Sequence, residues 1–265
     1  MPEGDTIFRT ARTLNLALAG KTVERFETVL PHLARVDHDT PLTGRVVESV
    51  ESTGKWLAIH FSGDLILLTH MLMSGSWHIY RPGEDWRRSR YHMRAVIATA
   101  GMLAVAFDVP IAEFHTPRTL AERLSRLGPD VLAPEFDAVA AVAGLLSRPD
   151  LEIAAALLNQ SLLAGIGNVY KSETCFASGV NPFRKVSSLD RRELEETVAA
   201  ARKLMRANTA GGFRRTTRSL DPHARLWVYG RAGEPCRRCG AAIESRKHNV
   251  DARISFWCPQ CQPMV

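Results

Sequence analysis

No stretch of 18 apolar residues occurs in the 265-residue chain, which excludes a helical membrane span. No apolar export segment precedes Ile7, so a reducing, cytoplasmic setting is expected. There the five cysteines would stay thiols or bind metal rather than pair as disulfides. Internal repeats and low-complexity runs are absent too, which argues against a solenoid or a disordered tail. Acidic residues are scarce in the last quarter: residues 202–265 carry 4 acidic and 13 basic side chains, a balance of +9. Residues 1–201 carry 24 and 21, a balance of −3, so the net charge of +6 hides a strong asymmetry. Charge gathered in one quarter of a chain implies an anionic partner for that quarter. Its basic residues, among them Arg214, Arg215, Arg218, Arg225, Arg231, Arg237, Arg238, Arg246 and Arg253, are mostly arginine, which suits bidentate phosphate contacts.

What is present is a globular composition, 45% hydrophobic, in a length that suits two domains plus a small appendage. The periodicity changes near residue 117. After a first helix of roughly residues 5–19, short alternating or apolar runs read as strands: Arg45–Val50, Trp56–Phe61, Leu65–His70, Ser76–Tyr80, Arg94–Ala98 and Leu103–Phe107. Turn signals such as Ser62-Gly63-Asp64 and Pro82-Gly83 punctuate them, and the spacing predicts an antiparallel β-sandwich. Beyond Pro117 the pattern is helical, with helices expected at Ala138–Leu146, Leu151–Asn159 and Arg191–Asn208. The fold class is therefore α+β.

Near the C-terminus stand Cys236-Arg-Arg-Cys239 and Cys258-Pro-Gln-Cys261. Two C-x-x-C knuckles at this separation match a four-cysteine structural site for one Zn2+. Four thiolates leave no open position for water, so the metal holds structure. Metal binding of this kind contributes on the order of 10 kcal/mol to ordering a short ribbon. Cys175, the fifth cysteine, lies in a helical pattern and reads as a small core residue.

Two further features point to chemistry. The chain opens Met1-Pro2-Glu3-Gly4-Asp5, and removal of Met1 would leave proline with a secondary amine. An α-amine titrates near ~8 against ~10.4 for lysine, so roughly a tenth of it is neutral at pH 7 and ready to attack an aldehyde or sugar C1′. Glu3 is the adjacent acid, placed to move protons. Taken alone this opening reads as an ordinary polar start to a strand or helix. The second feature is Gly165-Ile-Gly167-Asn168, where one helix breaks and another begins. The positive end of the new helix, with the Asn168 side chain, makes a seat for a phosphate; a glycine-rich connector capped by Asn fits the fragment as well.

Together, Pro2-Glu3-Gly4, Gly165-Ile-Gly167-Asn168, Val228-Tyr-Gly-Arg231 and the closing cysteine ribbon occur in a set order that closely resembles the formamidopyrimidine-DNA glycosylase and endonuclease VIII family. The resemblance covers essentially the whole chain. It implies a β-sandwich catalytic domain (1–116), a helical domain with a helix–two-turns–helix motif (117–222) and a zinc finger (223–265). It implies a monomeric DNA glycosylase and abasic-site lyase acting on double-stranded DNA that contains oxidised bases or abasic sites. By that resemblance Pro2 is the nucleophile and Glu3 the acid/base group. Lys55, in a hairpin turn, holds a phosphate near the lesion, as do Asn168 and the finger-tip Arg253. Residues that fill the space of the extruded base are sought in His70-Met71-Leu72-Met73-Ser74-Gly75, with Met73 and Leu72 named; core packing at a strand end is the alternative for them. Pro-Glu-Gly favours oxidised pyrimidines, with 8-oxoguanine and formamidopyrimidines as the alternative, since Leu-Met-Ser-Gly suits that branch. Asp5-Thr6 departs from the family's Pro-Glu pair and leaves position 6 without a carboxyl group. A lyase with little glycosylase activity, or a non-catalytic DNA-binding module, are the other readings.

Overall fold

The structure, a computed structural model, describes residues 2–248 and 253–264; the expected removal of Met1 concerns a residue outside that set. The chain divides into two compact units, 1–126 and 127–265.

The first unit is a sandwich of two four-stranded antiparallel sheets with helices. Its elements are α1 (Gly4–Leu18), β1 (Val23–Thr28), α2 (Pro31–Asp39), β2 (Val47–Thr53), β3 (Trp56–Phe61), β4 (Leu65–His70), β5 (Ser76–Tyr80), β6 (Met93–Thr99), β7 (Met102–Phe107), β8 (Ile111–His115) and α3 (Pro117–Leu124). One sheet runs β1-β6-β7-β5 and the other β2-β3-β4-β8. The six strands expected from the sequence are present, most with ends unmoved or moved by a residue or two. The structure adds β1, β8 and α2, which hydrophobic spacing does not mark. α1 buries Ile7, Ala11, Leu14 and Leu18, a helical stripe, in one core with Val47, Leu57, Ile59 and Leu67 of one sheet and Ala95, Ile97, Ala104 and Ala106 of the other. The alternation of β3 and β4 is weak because β4 buries all but its last residue.

The second unit begins with helices: α4 (Ala138–Leu146), α5 (Ile153–Leu158), α6 (Asn168–Ser178) and α7 (Arg191–Arg206). α7 opens on a capping box, in which the Asp190 side chain accepts from the Glu193 N–H at 2.8 Å and Glu193 accepts from the Asp190 N–H at 2.9 Å. The core is built from Val142, Leu145, Leu157, Leu163, Ile166, Tyr170, Leu194 and Val198. Cys175 lies fully inside it, and burial pushes its thiol up to about 12, as suits a core residue. The ribbon that follows pairs β9 (Glu244–Lys247) antiparallel with β10 (Ile254–Trp257). No helix among the described residues is long and apolar enough to cross a membrane.

Candidate functional site

In the first unit, Pro2 and Glu3 lead directly into α1. The Glu3 carbonyl accepts from the N–H groups of Thr6 (2.9 Å) and Ile7 (3.0 Å), which starts the helix, and the Glu3 side chain is fully buried. Asp5, also fully buried, stands 3.7 Å from the Arg9 guanidinium one turn on. The carboxyl group absent at position 6 thus has a buried neighbour at position 5, already engaged by an arginine.

Lys55 occupies the two-residue turn of the β2–β3 hairpin, closed by the Thr53–Trp56 pair, with Gly54 at φ 59°. Trp56 meets the His70 ring edge-on at 4.8 Å, and Arg123 lies 4.6 Å over the Trp56 ring. Burial, with the charges of Lys55 and Arg123, lowers the His70 pKa to about 4. The imidazole is therefore neutral at pH 7, and its Nδ1 accepts the Leu72 N–H at 3.1 Å. Sequence spacing assigns His70 no role of its own; the signal that marks it is tertiary.

The loop after β4 separates its three apolar residues. Met71 is 2% exposed and joins the core, whereas Leu72 is 45% and Met73 70% exposed. Core packing thus accounts for Met71 alone. Leu72 takes the left-handed backbone, φ 44°, which a branched side chain rarely adopts. The loop closes by the Gly75 N–H on the Met71 carbonyl at 2.8 Å, and a Cβ at Gly75 would stand 2.6 Å from that oxygen. Only glycine admits this approach without a shift.

In the second unit, α5 ends at Leu158 and α6 starts at Asn168, with Gly165 at φ 102° between them. The fully buried Lys171 donates to Asn168 Oδ1 at 2.6 Å and to the Ile254 carbonyl at 3.0 Å. Arg253, the residue before, is exposed, and its carbonyl accepts from the His248 N–H at 2.9 Å. Asn168 and the start of β10 are thus brought together. Glu173, two residues further along α6, is buried and accepts from the N–H groups of Trp227 (2.9 Å), Val228 (2.9 Å) and Tyr229 (2.8 Å), and from the Thr216 hydroxyl. The Val228-Tyr-Gly-Arg231 motif is hung on this one carboxylate.

Not every arginine of the basic quarter faces outward. Arg231 is buried, paired with Glu234 at 2.8 Å, and donates to the carbonyls of Trp227 and Pro235. Arg238 lies over Phe176 and Arg246 over Phe183. Arg231 thus braces the fold and leaves the set expected to meet phosphate, whereas Arg238 and Arg246 stay exposed.

The sulfurs of Cys236, Cys239, Cys258 and Cys261 lie within 4.8 Å of one another, with Cys236–Cys261 at 3.9 Å and Cys239–Cys258 at 3.4 Å. Tetrahedral zinc with bonds of about 2.3 Å sets sulfurs about 3.8 Å apart, so the donor set fits. These four cysteines form a closed, structural zinc site.

Three family models match in succession: the formamidopyrimidine-DNA glycosylase N-terminal domain over residues 1–121, the H2TH domain of that enzyme over 127–218, and the zinc finger found in FPG and IleRS over 233–263. The chain is 42% identical over 264 residues to endonuclease 8 2 of Mycobacterium tuberculosis, covering 99% of this chain and 100% of that one. It is 39% identical over 262 residues to a DNA-(apurinic or apyrimidinic site) lyase, Nei2, of Mycolicibacterium smegmatis, covering 99% of each. Among solved structures, formamidopyrimidine-DNA glycosylase of Lactococcus lactis, non-covalently bound to DNA containing an abasic site, superimposes with a TM-score of 0.84 at 23% identity, covering 98% of this chain and 99% of that one.

Proposed function

The chain belongs to the formamidopyrimidine-DNA glycosylase and endonuclease 8 family, and on that premise we propose that it removes oxidised pyrimidines from duplex DNA and then nicks the strand through a Schiff base on Pro2. It is a DNA glycosylase and abasic-site lyase of base-excision repair with one structural zinc. The observation that supports the mechanism is the placement of Glu3, a buried acid adjoining Pro2 at the head of α1, where proton transfer at the sugar is needed.

With Met1 removed, the Pro2 nitrogen bonds to C1′ as the glycosidic bond breaks and the base departs with a proton. Glu3 assists ring opening by giving and taking protons at the sugar. The iminium acidifies C2′–H; loss of that proton breaks the 3′ C–O bond and frees the phosphate, and a second elimination releases the 5′ side. Hydrolysis of the iminium returns the amine. Extrusion of the base costs a few kcal/mol, roughly, which phosphate contacts offset. Lys55, Asn168 and Arg253 supply those contacts, and Leu72 and Met73, held out of the core, fill the vacated stack. In this reading residues 1–116 carry the chemistry, 117–222 and 223–265 grip the DNA, and the protein acts as a monomer on cytoplasmic, nucleoid DNA.

A second reading, an abasic-site lyase with little glycosylase activity, is favoured by the Mycolicibacterium relative's name and by Thr6, which offers no carboxyl group. Borohydride trapping separates the two. A covalent adduct on duplexes carrying 5-hydroxyuracil or thymine glycol, abolished by Pro2→Ala, supports the glycosylase. An adduct on an abasic duplex but on neither pyrimidine duplex overturns the choice of base, and supports the lyase where an 8-oxoguanine duplex gives none either. None on either, from zinc-loaded protein lacking Met1, overturns the Schiff-base mechanism.

A further inference from the structure

Lys171 is unusual in being a fully buried lysine in the first turn of a helix. The positive end of the helix dipole disfavours a cation there, and burial adds to the cost. Its hydrogen bonds show what it accomplishes. An ammonium group can only donate, so the Asn168 atom 2.6 Å away is the carbonyl Oδ1, and the amide orientation is settled. The Nδ2 donors are thereby held on the opposite side of the amide. The second bond, 3.0 Å to the Ile254 carbonyl, reaches across 83 residues to the strand that begins just after Arg253. Ser172, the next residue on α6, accepts from the Phe256 N–H at 3.4 Å on the same strand.

We propose that Lys171 is a positioning residue that joins Asn168 and the Arg253 end of β10 into one clamp for the DNA backbone. The inference rests on the reading above, in which Asn168 and Arg253 grip phosphate. A bound phosphate would offset the cost of a cation at the head of α6, and the bridge would keep the two grips at a constant separation. The chemistry recognised is a phosphodiester, without regard to base.

The test is a pair of double-mutant cycles, read as Kd for a duplex carrying a tetrahydrofuran abasic analogue at constant salt. Lys171→Met is combined with Asn168→Ala and, separately, with Arg253→Ala, with zinc content and melting temperature followed throughout. Hydrogen bonds to charged groups predict losses of roughly tenfold or more for Asn168→Ala and Arg253→Ala, and about tenfold for Lys171→Met. In either alanine background Lys171→Met should weaken binding by clearly less than in the parent, about threefold, because one of the two grips it positions is already gone. Lys171→Arg, which keeps charge and donors, should bind within about threefold of the parent. Equal losses from Lys171→Met in parent and alanine backgrounds, in either cycle, overturn the clamp but leave the phosphate grips standing. No loss from Asn168→Ala and Arg253→Ala overturns the grips and the clamp with them. Should Lys171→Met fail to fold or to hold zinc, Lys171→Gln takes its place in both cycles, where the same losses support or overturn the clamp.

Discussion

Glu173 offers a calculable perturbation. Its two carboxylate oxygens collect four donors from the segment 216–229: Val228 and Tyr229 N–H on Oε1, and Trp227 N–H with the Thr216 hydroxyl on Oε2. Glu173→Gln keeps the shape but supplies one carbonyl and one NH2. With the carbonyl on the Oε1 side, Thr216 can turn its hydroxyl to accept, while the Trp227 N–H then faces another donor. One orphaned buried N–H costs about 1–3 kcal/mol. The two bonds that remain lose their charge assistance, at most about 1 kcal/mol each. The sum is about 1–5 kcal/mol, centred near ~3 kcal/mol, against the ~5–15 kcal/mol that holds a domain together. Because the damage is confined to one anchor, it should show as local opening. Hydrogen exchange at Val228 and Tyr229 is expected to accelerate on the order of a hundredfold, since about 1.4 kcal/mol is a factor of ten, while core amides of β3 and β4 stay unchanged. Acceleration below about fivefold would show that this carboxylate is not the anchor.

Three other outcomes follow from the same geometry. Lys55→Ala should lower the slope of log Kd against log salt by about 0.9, the value for one phosphate contact on duplex DNA; an unchanged slope removes Lys55 from the interface. His70 is held neutral by its depressed pKa of about 4, whereas an unfolded histidine binds a proton near ~6.5. The unfolded chain then binds more protons between those values, so stability rises with pH across that window and is lost as pH falls through it. His70→Gln should flatten this dependence, and urea midpoints that fall equally in parent and variant on acidification would count against it. Removal of zinc by EDTA should abolish binding to the abasic-analogue duplex while leaving the Trp77 environment of the first unit intact; retained binding would exclude the finger from the interface.

The strands legible in the sequence are those with apolar residues on two faces or in strict alternation, and β3, β4 and β5 stand where their spacing places them. The elements not legible bury almost nothing. Val23 is the single buried residue of β1, Ala112 of β8 and Leu33 of α2. The two strands are sheet edges, where only one side pairs and the hydrophobic period fades. The site is legible to the same degree. The cysteine knuckles, the glycine turn and the opening Pro-Glu are local patterns, so sequence spacing reveals them. The Trp56–His70 contact, the Lys171 bridge and the four-donor Glu173 join residues from 14 to 83 positions apart, and no local pattern announces them. Arg231 misleads for the opposite reason. Its type suits phosphate, but Glu234, three residues on, claims it first.

The finger shows why both a metal and buried polar residues are needed. Zinc ties four sulfurs together and so determines the ribbon's own shape. It says nothing about where the ribbon sits. That is set in part by polar side chains that join the ribbon to the helical part of the unit: Lys171 on the Ile254 carbonyl, Asn181 on the Gln262 carbonyl, Gln262 on the Val180 carbonyl, and His248 between Glu152 and Ser255. Phe183 stacks on His248 at 4.7 Å and closes the seat. These buried and part-buried polar bonds are costly when broken, and with the apolar contact of Phe176 on Cys236, Ile243 and Cys258 they single out one placement. An exposed arginine at the ribbon's edge can act as a phosphate grip only if its backbone is held to within a fraction of an ångström of its partners. In the proposed reading, in which Arg253 grips phosphate, the metal shapes its ribbon and these polar bonds aim it.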